Sequence, residues 1–139
     1  MPRITARREV FIRASPEAVW RVHADIDAWD QWQPAIAAAH IEGPIAAGTV
    51  FRWKSGGLAI TSTIENVETA KHITWSGTAL GTRALHSWTL TARDGGTLVS
   101  TDESLEGWLV TLLKVLTPGF LGKSLNVWTR SLKGRVELA

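Results

Sequence analysis

The chain has 139 residues, 45% hydrophobic and 20% charged, which is enough apolar material for a buried core and excludes a disordered tail. It contains no cysteine, so a disulfide framework, a thiolate metal site and a cysteine nucleophile are all ruled out. Lys and Arg exceed Asp and Glu by 15 to 13 with no basic run, so nucleic acid is not an expected partner despite a sequence pI near 9.4.

The length fits one domain spanning residues 1–139. Residues 8–13 read as a short strand. Ser15-Pro16-Glu17 opens a helix, with Ser as N-cap, Pro in the first turn and Glu at the positive helix end. Val19, Val22, His23 and Ile26 recur at helical spacing, and a second short helix from Asp27 to Trp32 places Trp29 and Trp32 three apart. From Ile36 the period switches to two. Strands are expected at 36–42, 49–54, 58–67, 72–79, 84–92 and 97–106, separated by Gly, Pro and Asp-Gly turn signals. A helix begins near Gly107 and breaks at Thr117-Pro118-Gly119. A long final helix then carries the stripe Leu121, Leu125, Trp128, Leu132 and Val136.

Hairpin pairing turns these strands into a face. A turn at Asp94-Gly95 sets His86 opposite Glu103 and Trp88 opposite Thr101. A turn centred between Gly81 and Thr82 sets Trp75 opposite Trp88 and Gly77 opposite His86. The 68–71 turn pairs Ile64 with Trp75, and Gly56-Gly57 pairs Trp53 with Ile60. All four registers place Phe51, Trp53, Ile60, Ile64, Ile73, Trp75, Trp88, Leu90, Val99 and Leu105 on one face. Ser62, Gly77, His86, Thr101 and Glu103 lie among them, and the other face is rich in Thr and Ser. Such a sheet needs a cover on its apolar side, and the final helix has the matching stripe.

The chain has eight tryptophans and no tyrosine. Phe51, Trp53, Trp75 and Trp88 would suit a flat ligand by stacking, or would simply fill the space under the helix. His86 and Glu103 are the titratable pair on the apolar face. They read as a register-fixing hydrogen-bonded pair, as a polar anchor for a ligand, or as a general acid and base. Metal and cofactors are not expected. The His23-Ala24-Asp25-Ile26-Asp27 segment straddles a helix end without a third ligand, His40 and His72 sit alone near strand ends, and no phosphate loop or nucleophile elbow occurs. Leu109, Leu112, Leu113, Leu116 and Phe120 form a lid, a core patch or a dimer surface, with Pro118-Gly119 as hinge. Residues 1–9 lack the apolar segment of a cleaved signal, and the apolar stretch from Gly107 to Leu121 is interrupted by Lys114 and Pro118. A cytoplasmic protein without integral membrane association is therefore expected, as monomer or homodimer.

The order of elements, together with Ala14-Ser15-Pro16-Glu17-Ala18-Val19-Trp20, Asp27-Ala28-Trp29-Asp30-Gln31-Trp32-Gln33-Pro34, His86-Ser87-Trp88-Thr89-Leu90, Gly96-Thr97-Leu98-Val99 and Glu103-Ser104-Leu105-Glu106-Gly107, resembles the START-like, polyketide cyclase/Bet v 1-like superfamily. The resemblance implies an α+β helix-grip fold: a seven-stranded curved antiparallel sheet wrapped around a long C-terminal helix, with an internal hydrophobic cavity. It further implies lipid or hormone binding or polyketide aromatase/cyclase activity, and some members act on partner proteins in stress responses. The expected function is binding of a small hydrophobic, aromatic or polycyclic ligand. The alternatives are a polyketide cyclase/dehydrase-type enzyme in the same cavity and a partner-binding module that would expose Trp29 and Trp32. The expected ligand-binding residues are Phe51, Trp53, Ile60, Ser62, Ile64, Trp75, Gly77, His86, Trp88, Thr101, Glu103, Leu125, Trp128 and Leu132, with His86 and Glu103 as the catalytic pair if there is one.

Overall fold

The computed structural model describes residues 3–138. Strand β1 (Arg3–Ile12) leads into helix α1 (Pro16–His23) and a 3-10 helix (Ile26–Gln31). Six strands follow: β2 (Ile36–Ile41), β3 (Val50–Ser55), β4 (Leu58–Glu68), β5 (His72–Ala79), β6 (Thr82–Arg93) and β7 (Gly96–Glu106). The chain closes with α2 (Trp108–Leu116) and α3 (Phe120–Leu138). The strands form one antiparallel sheet in the order β1-β7-β6-β5-β4-β3-β2. Its inner face is covered by α3, whose Leu121, Leu125, Trp128, Leu132 and Val136 are all buried. This is the helix-grip architecture.

Local chemistry accounts for the boundaries. The Ser15 hydroxyl accepts from the Ala18 amide at 3.2 Å, so the cap expected of Ser-Pro-Glu starts α1. Asp94 and Gly95 both take positive φ, 50° and 78°, as a two-residue hairpin turn of matching twist demands. Strand β1 begins five residues before the expected start and pairs along the whole of β7, from Arg3 opposite Glu106 to Ile12 opposite Thr97. Arg8 had hidden that alternation. It occupies an inward position of the strand, passes over Gly122 of α3 and donates to Asn126 Oδ1 at 2.9 Å. A charged residue is tolerated there because the helix presents a glycine beneath it and an amide beside it.

Three of the four expected hairpin registers hold: His86 faces Glu103, Ile64 faces Trp75, and Trp53 faces Ile60. The β5–β6 register is two residues away from expectation. Ala79 pairs with Thr82, leaving Leu80 and Gly81 as the turn, so Trp75 faces His86 rather than Trp88, and Gly77 faces Ala84 rather than His86. Gly81, with φ of 61°, supplies the left-handed turn position. A shift of two preserves which face each side chain takes, and the inward set is unchanged. A bulge between Ile64 and Asn66 in β4 breaks the β4–β5 ladder once, bending that strand.

The 3-10 helix lies along β2. From it, Asp27 Oδ1 accepts the backbone N–H of Ile41 at 2.9 Å and stands 3.2 Å from His40 Nδ1. His40 is thus paired rather than solitary, and His72 sits within hydrogen-bond range of Thr89 and Thr74 on the outer face.

Candidate functional site

The inner face of the sheet divides into a packed part and a hollow part. In the packed part, Trp29 descends from the 3-10 helix and is held by its Nε1–H donating to the His23 carbonyl at 2.8 Å. Its ring centre lies 5.0–5.5 Å from those of Phe51, Trp53, Trp75 and Trp128, within the range of edge-to-face aromatic packing. His23 packs against Trp75 and Trp88, and both of its ring nitrogens are buried without a hydrogen-bond partner. Burial therefore lowers its pKa to about 3 and keeps it neutral.

In the hollow part, a cavity of about 300 Å³ lies between the sheet and the first turns of α3. Its rim is formed by Ser55, Gly56 and Leu58 of the β3–β4 hairpin, by Thr78, Ala79 and Thr82 beside the β5–β6 turn, and by Leu113 of α2 and Phe120 of α3. Trp53, Trp75 and Trp128 form its inner wall together with Ile60, Leu105 and Leu121. The Trp53 Nε1–H donates to Ser62 Oγ at 3.0 Å, which fixes that indole against the wall. Gly77 makes room beside it, because a methyl group there would lie 3.1 Å from Ser62 Oγ and 3.5 Å from Ile60.

Helix α2 is tied down at its start. Gly107 takes φ of 124° against the Gly81 peptide, a position open only to glycine, and the Gly81 carbonyl accepts the Leu109 amide at 3.0 Å. Beyond that anchor the helix buries only Val110 among its nine residues, and Trp108, Leu112, Val115 and Leu116 face outward. Of the lid residues expected from sequence, Leu113 and Phe120 reach the cavity and Leu109, Leu112 and Leu116 do not.

Glu103 is the ionisable residue of the cavity wall. Its side chain is 14% exposed, and burial raises its pKa to about 8, so it is a neutral carboxylic acid at pH 7. Behind it stands His86, with Nδ1 at 3.6 Å from Glu103 Oε2 and without a hydrogen-bond partner. Burial, and secondarily the charge His23 would carry, lowers the His86 pKa to about 3. The two side chains are thus a neutral acid beside a neutral base and not an ion pair. His86 Nε2 lies 2.8 Å from Thr101 Oγ1, and the Thr101 hydroxyl donates to the Ser87 carbonyl at 3.0 Å.

Seven of the expected ligand-binding residues meet at the cavity: Trp53, Ile60, Ser62, Trp75, Gly77, Glu103 and Trp128. The other seven, Phe51, Ile64, His86, Trp88, Thr101, Leu125 and Leu132, sit behind its wall, each at most 1% exposed. Trp29 and His23 fill part of that face, Trp29 packing on Phe51 and His23 on Trp88. The cavity also uses residues that strand alternation did not single out. Ser55, Gly56, Thr78, Ala79 and Thr82 belong to turns and strand ends, and Ser124 lies beside the α3 stripe. Their signal was the turn chemistry at Gly56-Gly57 and Gly81, which marks where strands end and a mouth can form.

Among the described residues, no cluster of three or more His, Cys, Asp or Glu side chains is arranged to hold a metal ion. No described helix is long and apolar enough to cross a membrane.

A curved sheet gripping a helix over a partly hollow apolar interior defines the START-like class of proteins. The chain belongs to the family described as polyketide cyclase/dehydrase and lipid transport, which matches residues 3–137. No curated protein gives a significant match. Among solved structures, a START superfamily protein from Mycobacterium smegmatis superposes with a TM-score of 0.81 at 19% identity, covering 96% of this chain and 97% of that one. An aromatase/cyclase, Zhui, from a Streptomyces species gives 0.80 at 14% identity, covering 98% and 94%. Ara h 8.0201 gives 0.73 at 17% identity, covering 99% and 100%. These identities carry the fold, and the family supports a ligand-binding or cyclase role in a hydrophobic cavity.

Proposed function

We propose that this protein binds a small, flat hydrophobic molecule of one or two rings in the cavity. The observation that carries this reading is a space of about 300 Å³ walled by three indoles, with a single carboxyl group at its inner side. Ligand pockets run from about 300 to 1,000 Å³, with apolar walls and few polar groups, so this one suits a bicyclic aromatic better than a sterol. Trp53, Trp75 and Trp128 would sandwich the ring system, Gly77 and Ile60 would set its depth, and Glu103 would hold its polar end. Phe51, Ile64, Trp88, Leu125 and Leu132 would hold the wall in place without touching the ligand.

A second reading, cyclisation or dehydration of a polyketide-like substrate, is favoured by one feature. A neutral carboxylic acid on the wall with a bare imidazole nitrogen 3.6 Å behind it can give a proton and recover it. The partner-protein reading loses its basis, because Trp29 is fully buried and Trp32 packs edge-on against Trp128.

Native mass spectrometry after incubation with mixed aromatic polyketides, sterols and fatty acids separates the readings. A one- or two-ring aromatic retained at its original mass is the expected result. A released product lighter by one water would transfer the assignment to the enzyme. Failure of every compound to bind would sink both.

A further inference from the structure

The hydrogen bonds behind the cavity wall run in one direction, and that direction fixes what the wall shows to a ligand. The Ser87 carbonyl can only accept, so the Thr101 hydroxyl spends its one proton there, at 3.0 Å. Thr101 Oγ1 is then an acceptor toward His86 Nε2, 2.8 Å away. His86 is held with its proton on Nε2, and Nδ1 is left as a buried lone pair without a partner. A buried acceptor left without a donor destabilises the folded chain. The group in position to satisfy it is Glu103, whose Oε2 stands 3.6 Å off; closing to hydrogen-bond distance takes less than about 1 Å. Glu103 is held protonated by burial, and over that step its one O–H would meet Nδ1. What remains for the cavity is the acceptor oxygen of the carboxyl group.

The rest of the wall has no cation. Trp53, Trp75 and Trp128 are apolar faces, Ser62 and Ser124 are neutral hydroxyls, and no Lys, Arg or His is among the residues lining the cavity. A ligand carboxylate would have to leave water with no opposing charge and would face an oxygen acceptor.

On the reading that the cavity binds a flat apolar molecule, we infer that Thr101, His86 and Glu103 act as a directional hydrogen-bond chain that selects neutral hydroxyl-bearing aromatics, of the phenol or naphthol class, and rejects aromatic carboxylates. Glu103 is the specificity-determining contact, and His86 and Thr101 are positioning residues.

Three matched probes test this by calorimetric titration at pH 6.5: 2-methylnaphthalene, 2-naphthol and 2-naphthoate. Binding of 2-methylnaphthalene reads the cavity alone, and the naphthol-to-methylnaphthalene affinity ratio reads the chain. The expected ratio in the unaltered protein is at least tenfold, with naphthoate weakest. Glu103→Leu should bring the ratio close to one while methylnaphthalene still binds. Glu103→Gln should keep the preference, because a carboxamide donates N–H to Nδ1 and still offers its carbonyl oxygen. Thr101→Val should reduce the ratio and, in nitrogen-15 NMR of the imidazole, shift the His86 proton from Nε2 toward Nδ1. Equal binding of naphthoate and naphthol would overturn the inference, as would a preference that survives in Glu103→Leu. If none of the three probes binds, the cavity reading itself fails and takes this inference with it.

Discussion

The packed and hollow parts of the inner sheet face are built from the same strands and the same residue types, yet only one is filled. The difference lies in what the helices bring. Helix α1 and the 3-10 helix deliver Val19, His23 and Trp29, each at most 1% exposed, into the first part. Helix α2 delivers Leu113 to the rim of the second and keeps most of its apolar side chains outside. The lesson is that a continuous apolar face on a sheet does not specify a continuous core. The elements that cross it decide where it is solid.

The comparison breaks most directly at Trp29. Trp29→Ala should cost about 3–5 kcal/mol, the range for removing a fully buried aromatic, and Trp88→Ala should fall in the same class. Leu113→Ala at the hollow end should cost less than about 1 kcal/mol. Urea unfolding of the three variants measures this directly. Equal losses at Trp29 and Leu113 would mean that the two parts are packed alike.

A second test uses the titrating groups on each side. In the packed part, His23 and His86 have pKa values lowered from 6.5 to about 3, so as pH falls below about 6.5 the unfolded chain gains protons that the folded one refuses, and stability drops. At the cavity wall, Glu103 has its pKa raised from 4.5 to about 8. Between those values the folded chain binds the extra proton, so stability falls as pH rises through that window. Between pH 4.5 and 6.5 the two histidines outweigh the one carboxyl, and above 6.5 the carboxyl acts alone. Stability should therefore peak near pH 6.5, falling by about 2 kcal/mol toward pH 4.5 and by about 1 kcal/mol toward pH 8. At pH 8 the carboxyl is already half ionised, and the limiting slope of about 1.4 kcal/mol per unit is not reached. Denaturant midpoints across pH 4 to 9 give the profile. Glu103→Gln should flatten the alkaline limb and steepen the acid limb, where the carboxyl no longer offsets the histidines, whereas an unchanged alkaline limb would remove Glu103 as its cause.

The smallest effect sharpens the comparison by filling the hollow part. Gly77→Val places a branched side chain against Ser62 and Ile60 and should weaken binding of a two-ring ligand by about tenfold or more, which is about 1.4 kcal/mol. The unfolding midpoint should fall by less than in Trp29→Ala, since valine suits a strand but its Cβ presses on the buried Ser62 hydroxyl. Full retention of binding would place the ligand elsewhere.

The face of the sheet was legible in the sequence because alternation and turn residues constrain each other. Even the misplaced β5–β6 register kept every side chain on its proper side. The final helix was equally legible, since Leu121, Leu125, Trp128, Leu132 and Val136 recur every three or four residues and all are buried. The division of the face into solid and hollow parts was not. It depends on Trp29, which in sequence is one of two tryptophans on a short helix, and on how far that helix reaches over a sheet whose strands follow it in the chain. Periodicity says which way a side chain points and says nothing of what meets it. His86 and Glu103 were paired correctly, but their unequal places, one inside the wall and one on it, follow from the same missing information.

The bond from the Ile41 amide to Asp27 has a consequence for life in a crowded solution. Strand β2 is the last of its sheet, and an open edge of that kind offers its amides to any other extended chain. Here the 3-10 helix lies along it, and a carboxylate already occupies one of those amides. The side chain that ends the ladder also guards it, so the molecule carries its own defence against edge-to-edge aggregation in the segment that delivers Trp29 to the core.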